Sequence, residues 1–378
     1  MLLLSALCLL AARARAAEPR GRDLGIPFDF GTPGAANAIT DVPGVEVGHV
    51  TLVQGDSVRT GVTAVLPRGR GDAGKEPCFA GYYSLNGNGE MTGVAWVKEA
   101  GVLEGPVLIT NTNAVGVLRD AVIQYAHQRW GSAGGWSDAI WSLPVVAETW
   151  DGSLNDIYGG HVKAEHARQA IEAARPGPVA EGAVGGGTGM ICYEFKGGIG
   201  TASRVLPAAG GGFTVGVLVQ ANFGLRHQLR VAGVPVGAEI REGAERAADA
   251  GSIIILVATD APLLPHQLER LARRAALGLA RTGSVAGNGS GDLFLAFSTA
   301  NRRAGEAEGI VPLQMWPNAR MGGLFEATVG ATEEAIVNAL VAGRTTTGYK
   351  GYTVPGLPHD RVVELLRRHG RLQPAPAR

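Results

Sequence analysis

Polar and apolar residues alternate along several short stretches of this chain, with Gly and Pro between them. Val45 to Val50, Thr60 to Val65 and Phe213 to Asn222 show the pattern, which predicts half-buried strands. Pro106 to Thr110 and Val145 to Trp150 add two further strand candidates. The strongest is Ser252 to Thr259, a β-branched apolar run bounded by Gly251 and Pro262. Asp292 to Thr299 also reads as a strand. Helical spacing covers Ala114 to Trp130, with Val117, Leu118, Val122 and Tyr125 on one face, and His161 to Ala174, ending before Pro176. Gln267 to Ala280 places Leu268, Leu271, Ala275 and Leu279 inward. Thr332 is expected to cap a helix running through Val341 to a stop at Gly343, and Asp360 to cap a last helix stopping at Gly370. Hairpin-like strands interspersed with long helices favour an α+β fold of two packed sheets covered by helices. The run Gly185-Gly186-Gly187-Thr188-Gly189 neither follows a clear strand nor opens a helix, and no GxxxxGK[ST] is present, so a phosphate-binding reading is weak.

Composition narrows the function classes. The 378 residues contain 34 Lys plus Arg and 34 Asp plus Glu, so the net charge is zero. This balance points away from nucleic acid and toward small peptides or amides. The 57 glycines cluster without a period, as turns and close backbone approaches do. Three cysteines, Cys8, Cys78 and Cys192, form no CxxC pair and have no accompanying His cluster, so neither a disulfide framework nor a metal site is expected. Residues 1–24 read as a leader and linker. The apolar run Leu2 to Ala12 is followed by Ala14-Arg15-Ala16, a possible cleavage site for export to the periplasm or beyond. A cytoplasmic enzyme with an N-terminal extension is the alternative. No later stretch has the length of a membrane span. Residues 25–378 read as a single domain.

A serine hydroxyl needs a base before it becomes a nucleophile. Gly287-Asn288-Gly289-Ser290-Gly291 departs from a GxSxG elbow, and none of the eight histidines stands beside an obvious nucleophile. A Ser-His-Asp arrangement stays open, since triads are defined by geometry. The other route is a serine whose own α-amino group, with a pKa of about 7.7–8.0, is the base. That route requires scission before the serine, a glycine ahead of it to permit unusual backbone, and a strand behind it. Gly251-Ser252-Ile253-Ile254-Ile255 meets these needs, with Ala244 to Ala250 as a mobile surface linker. On chemistry alone, the simpler reading of Ser252 as the start of a buried strand is the stronger.

The stretch from Gly251 to Leu263 resembles the β-subunit start of the DmpA family, the L-aminopeptidase/D-esterase and β-aminopeptidase enzymes. Asn86 to Gly93, Glu148 to Gly152, Val184 to Arg204, Gln220 to Gly224, Gly289 to Asp292 and Ala331 to Ala335 match its motifs in order. The resemblance spans about residues 25 to 355. It implies a four-layer αββα sandwich like that of Ntn hydrolases, self-processed into an α chain ending at Gly251 and a β chain of residues 252–378. It further implies no cofactor or metal, and relatives that are commonly tetramers of α/β pairs. By motif, Ser252 corresponds to the nucleophile, and Ser290 and Asp292 to groups that relay or orient its proton; Asp292 is one methylene shorter than the Glu of some relatives. Asn222 corresponds to an oxyanion donor and Glu148 to the carboxylate that binds the substrate amine. Trp150 joins the substrate site, but its indole N–H without a hydroxyl sets it aside as an oxyanion donor. Asn155 and Asp156 read as structural. Acyl transfer of the ornithine acetyltransferase kind is the neighbouring alternative, although those enzymes use threonine. Preference for L-, D- or β-amino acids rests on pocket shape.

Overall fold

The computed structural model describes residues 19–72, 76–130, 143–243, 251–305 and 309–374. The leader from Leu2 to Ala16 and the linker Ala244 to Ala250 lie outside the described residues. The strands of the two main sheets are β1 (Glu46–Gln54), β2 (Val58–Leu66), β3 (Cys78–Gly87), β4 (Val102–Leu103) and β5 (Val107–Asn111). They continue with β6 (Val145–Thr149), β7 (Gly198–Val205), β8 (Thr214–Asn222), β9 (Ser252–Thr259) and β10 (Gly291–Ser298). A four-stranded sheet has the order β1-β2-β5-β6, and a six-stranded sheet the order β4-β3-β10-β9-β8-β7.

Alternation along β9 sorts its side chains between two cores. Ile254, Leu256 and Ala258 meet Val65, Val107, Ile109, Val145 and Ala147 between the sheets. Ile253, Ile255 and Val257 face the other way, onto helices α3 (Pro265–Arg281) and α4 (Gly322–Ala342). Helices α1 (Val115–Trp130) and α2 (Ala164–Ala173) cover the outer face of the four-stranded sheet through Leu118, Val122, Ala167 and Ile171. The result is the αββα order that the sequence led us to expect. α4 approaches β7 closely because position 200 is glycine: a Cβ there would stand 1.9 Å from the carbonyl oxygen of Ala335.

Several expectations need correction. β9 and β10 pair in parallel, as do β5 and β6, so the sheets are mixed rather than hairpin-built. α4 begins at Gly322, not at Thr332. Thr332 is buried mid-helix, and its hydroxyl donates to the Thr328 carbonyl 2.7 Å away instead of capping. The last helix, α5 (His359–Arg368), starts after Pro358. Val117 is exposed, off the buried face of Leu118 and Val122. The Gly185–Gly189 run forms a short 3-10 turn.

The chain joins the body well before residue 25. Gly21 N–H donates to Asn338 Oδ1 at 2.9 Å, and Arg22 grips Glu334 through two bonds of 2.8 and 2.7 Å. Glu334 is fully buried on α4 and also meets Arg204 at 2.8 Å and Asn37 Nδ2 at 2.6 Å. Burial would push the Glu334 carboxyl up, but the Arg22 hydrogen bonds and the Arg204 charge outweigh it and hold the group below the usual range. Removing one partner of such a cluster leaves buried guanidinium charge uncompensated. Glu334→Ala is therefore expected to cost about 3–5 kcal/mol, visible as a large drop in apparent Tm at neutral pH; an unchanged Tm would refute this.

Candidate active site

Ser252 opens β9 and is nearly buried, at 6% exposure. It stands opposite Asn222 in the antiparallel register with β8 and beside Gly291 in the parallel register with β10. By alternation it shares the face of Ile254 and Leu256, so its hydroxyl lies at one end of the layer between the sheets. The Gly291 backbone N–H donates to Ser252 Oγ at 3.1 Å. The preceding residue must be glycine, though not for the reason the sequence suggested. Gly251 is not among the residues with left-handed backbone. Instead, a Cβ on it would stand 2.0 Å from the Asn222 carbonyl oxygen and 2.5 Å from Phe223 Cα.

Ser290 and Asp292 flank Gly291 and are both buried. The Ser290 hydroxyl donates to Asp292 Oδ1 at 2.7 Å. The structure thus brings the two together, while the group that reaches Ser252 Oγ is the backbone between them. Their loop is clamped from β3 and its extension: Asn86 Nδ2 donates to the Gly287 carbonyl at 2.6 Å, and Asn88 Nδ2 to that of Gly289 at 2.8 Å. The Asn86-Gly87-Asn88-Gly89 motif therefore acts at long range, on the loop that positions Gly291.

The Asn222 side chain is fixed at both ends. Its Oδ1 accepts from Ile191 N–H at 2.8 Å, and its Nδ2 donates to the Trp150 carbonyl at 2.9 Å. These partners set the amide orientation. An amide nitrogen has two N–H bonds, so the bond to Trp150 uses only one of them. Gln220, two residues earlier on the same face, donates to Thr149 Oγ1 and the Thr110 carbonyl, both at 2.9 Å. Through Gln220 and Asn222, β8 thus ties the two sheets together where Ser252 sits.

Glu148 is buried, at 3% exposure. Its Oε1 accepts from Glu90 N–H at 2.9 Å, and its Oε2 accepts from the Thr112 hydroxyl. Burial pushes its carboxyl up, against the pull of those two donors. A Cβ at Gly89 would stand 3.3 Å from Glu148 Oε1 and 3.2 Å from Gly291 Cα, so glycine keeps the carboxylate close to the strand that contacts Ser252. Trp150 lies just past the strand that carries Glu148. β6 ends at Thr149, and the Trp150 side chain is 44% exposed while its carbonyl serves Asn222. Asn155 Nδ2 donates to Asp151 Oδ1 at 3.0 Å, and Asp156 N–H to the Ser57 carbonyl at 2.8 Å, which are structural tasks.

The residues that sequence reasoning missed are mostly backbone donors: the N–H groups of Gly291, Glu90 and Ile191, which leave no side-chain signature. Thr112 could have been sought as a hydroxyl just after a strand. No histidine hydrogen bonds to Ser252 or Ser290 among the described residues; His49 meets Thr63 and His161 meets Asp156. Among the described residues no helix is long and apolar enough to cross a membrane.

The model of peptidase family S58 matches residues 37–354. The chain belongs to peptidase family S58. The β-peptidyl aminopeptidase BapA of Sphingosinicella microcystinivorans is 52% identical over 392 residues, covering 97% of this chain and 96% of that protein. Among solved structures, a Burkholderia sp. β-aminopeptidase is 51% identical with a TM-score of 0.86, over 93% of this chain and 99% of that one. The L-aminopeptidase D-Ala-esterase/amidase of Ochrobactrum anthropi is 45% identical with a TM-score of 0.88, over 94% of this chain and all of that one. It is described as a new variant of the Ntn hydrolase fold. The αββα sandwich seen here is that fold, and the S58 chain is a peptidase.

Proposed function

We propose that this S58 chain is an N-terminal-serine aminopeptidase, activated by scission between Gly251 and Ser252. It releases N-terminal residues from small peptides, amides or esters. The observation that carries the reading is the pairing of Ser252 with Asn222 across β9 and β8, directly after a glycine packed against the Asn222 backbone. Scission frees the Ser252 amine, which accepts the hydroxyl proton as Oγ attacks the substrate carbonyl carbon. The second N–H of Asn222 stabilises the oxyanion, a contribution of about 3 kcal/mol. Collapse expels the leaving amine or alcohol, which takes up the proton, and water then hydrolyses the Ser252 ester. Ser290 and Asp292 orient the proton at the amine. Glu148 binds the substrate ammonium, which restricts cutting to the chain end.

The BapA relatives bear the name β-peptidyl aminopeptidase, and β-amino-acyl amides are the first substrates to assay here. Transfer of the acyl group to an amine is the second route, read by comparing hydrolysis with aminolysis. Export through the 1–24 leader and assembly of α/β pairs into a homo-oligomer complete the proposal; the mature N-terminus and light scattering test them. The central experiment is intact-mass analysis of the purified protein. Two chains are expected, the smaller beginning at Ser252. An active enzyme that is uncut at this bond would overturn the mechanism.

A further inference from the structure

Lys196 is fully buried, which is unusual for a lysine. Its Nζ donates to three backbone carbonyls: Gly187 at 3.1 Å, Met190 at 2.8 Å and Gly197 at 2.9 Å. These acceptors gather one segment, from the 3-10 turn at Gly185–Gly189 to the start of β7. Within it, Tyr193 and Glu194 are held in left-handed backbone, at φ 51° and 60°, which disfavours non-glycine residues. The second of the three carbonyls matters most. The Met190 C=O and the Ile191 N–H belong to one peptide unit, which is planar and rigid. Its oxygen faces Lys196, and its N–H faces Asn222 Oδ1 at 2.8 Å.

We propose that Lys196 is a positioning residue for the reaction: its ammonium fixes and polarises the Met190–Ile191 peptide, which in turn aims the Asn222 amide at the oxyanion. The chain of donors runs from Lys196 Nζ to the Met190 oxygen, through the peptide to the Ile191 N–H, and on to Asn222 Oδ1. Each member polarises the next, so a cation at one end strengthens the Nδ2 donor at the other. A second clamp, Gly197 N–H on the same Met190 oxygen at 2.9 Å, limits what loss of the lysine does to the backbone. Burial pulls the Lys196 ammonium down to about 7, while the three carbonyl acceptors match the three N–H groups of the charged form, one more than a neutral amine can donate.

This inference rests on Asn222 acting as the oxyanion donor, and the test separates the two. Lys196→Met, Asn222→Ala and the double variant are compared for kcat and KM on an amino-acyl amide, normalised to the amount of Ser252-started chain. Asn222→Ala is expected to lower kcat about 100- to 1,000-fold, and Lys196→Met about 10-fold with KM unchanged. The double variant is expected to be no slower than Asn222→Ala alone, because the lysine acts through that amide. Losses that multiply, or a Lys196→Met effect on KM alone, would overturn the positioning role. An Asn222→Ala enzyme with unchanged kcat would instead overturn the oxyanion reading. If Lys196→Met does not accumulate as folded protein, Lys196→Gln keeps N–H donors without the charge and is expected to show the same non-additive loss.

Discussion

Ser252→Ala is expected to leave one uncut polypeptide and to abolish turnover, a loss on the order of 10⁴-fold or more. Both effects follow from one atom. Under the proposed mechanism Oγ is the attacking group in the substrate reaction, and it also attacks the Gly251 carbonyl before the amine exists. The surroundings are set for an oxygen at this position: Gly291 N–H points at it from 3.1 Å, and Asn222 faces it across the strand pair. Folding should survive, because Ser252 sits at the strand start while the apolar grip of β9 comes from Ile253 to Ala258. The readouts are a denaturing gel and amidase activity on the same preparation. A variant that is still cut, or that still turns over, would place the nucleophile elsewhere, with Ser290 the next residue to replace. Ser252→Thr keeps the hydroxyl beside an added methyl group and is expected to retain partial processing, which separates loss of the oxygen from loss of the fit.

Much of this site was legible where side chains carry the signal. β9 was bounded correctly at both ends because its run is apolar on both faces and closed by turn residues. The family motifs placed Asn222, Glu148, Ser290 and Asp292, and the structure gathers them at one end of the inter-sheet layer and beside it. What stayed hidden has physical causes. β3 and β7 were overlooked because glycine and polar residues interrupt their alternation, as at Gly81, Gly198 and Gly200. The first half of α4 was missed because it is rich in Gly and Ala, with little polar contrast and no side-chain cap to mark its start. Parallel pairing of β9 with β10 depends on α3 crossing between them, a long-range event that periodicity does not encode. The donors on Ser252 and Glu148 are largely backbone, and every residue but proline carries such a group.

Glu148→Gln is expected to lower kcat/KM for substrates with a free amino end about 100-fold, chiefly through KM. A buried carboxylate that meets an ammonium makes a charge-assisted contact, and removing one partner costs about 2–5 kcal/mol. Glutamine keeps the shape: its oxygen can still accept from Glu90 N–H, while its NH2 donates to the Thr112 hydroxyl oxygen, which turns to accept, so the fold should hold while the charge goes. N-acylated substrates, which bring no cation, should gain relative to free-amine ones. The pH profile gives an independent check. Burial raises the Glu148 carboxyl, so as pH falls the wild type should begin to lose amine binding above the ordinary glutamate range of about 4.3. Protonation removes the charge that attracts the substrate, so the loss lies on the acid side, and Glu148→Gln should lack that limb. The limb set by the Ser252 amine, a group whose unperturbed pKa is about 7.7–8.0, should persist in both enzymes. Glycine at position 89 lets the carboxylate approach the residue that contacts Ser252 Oγ. Under the proposed mechanism, amine recognition and acyl attack would then share one small space, which would restrict cutting to the chain end. Equal losses on free and blocked substrates, or an unchanged acid limb, would remove Glu148 from the recognition of the amine.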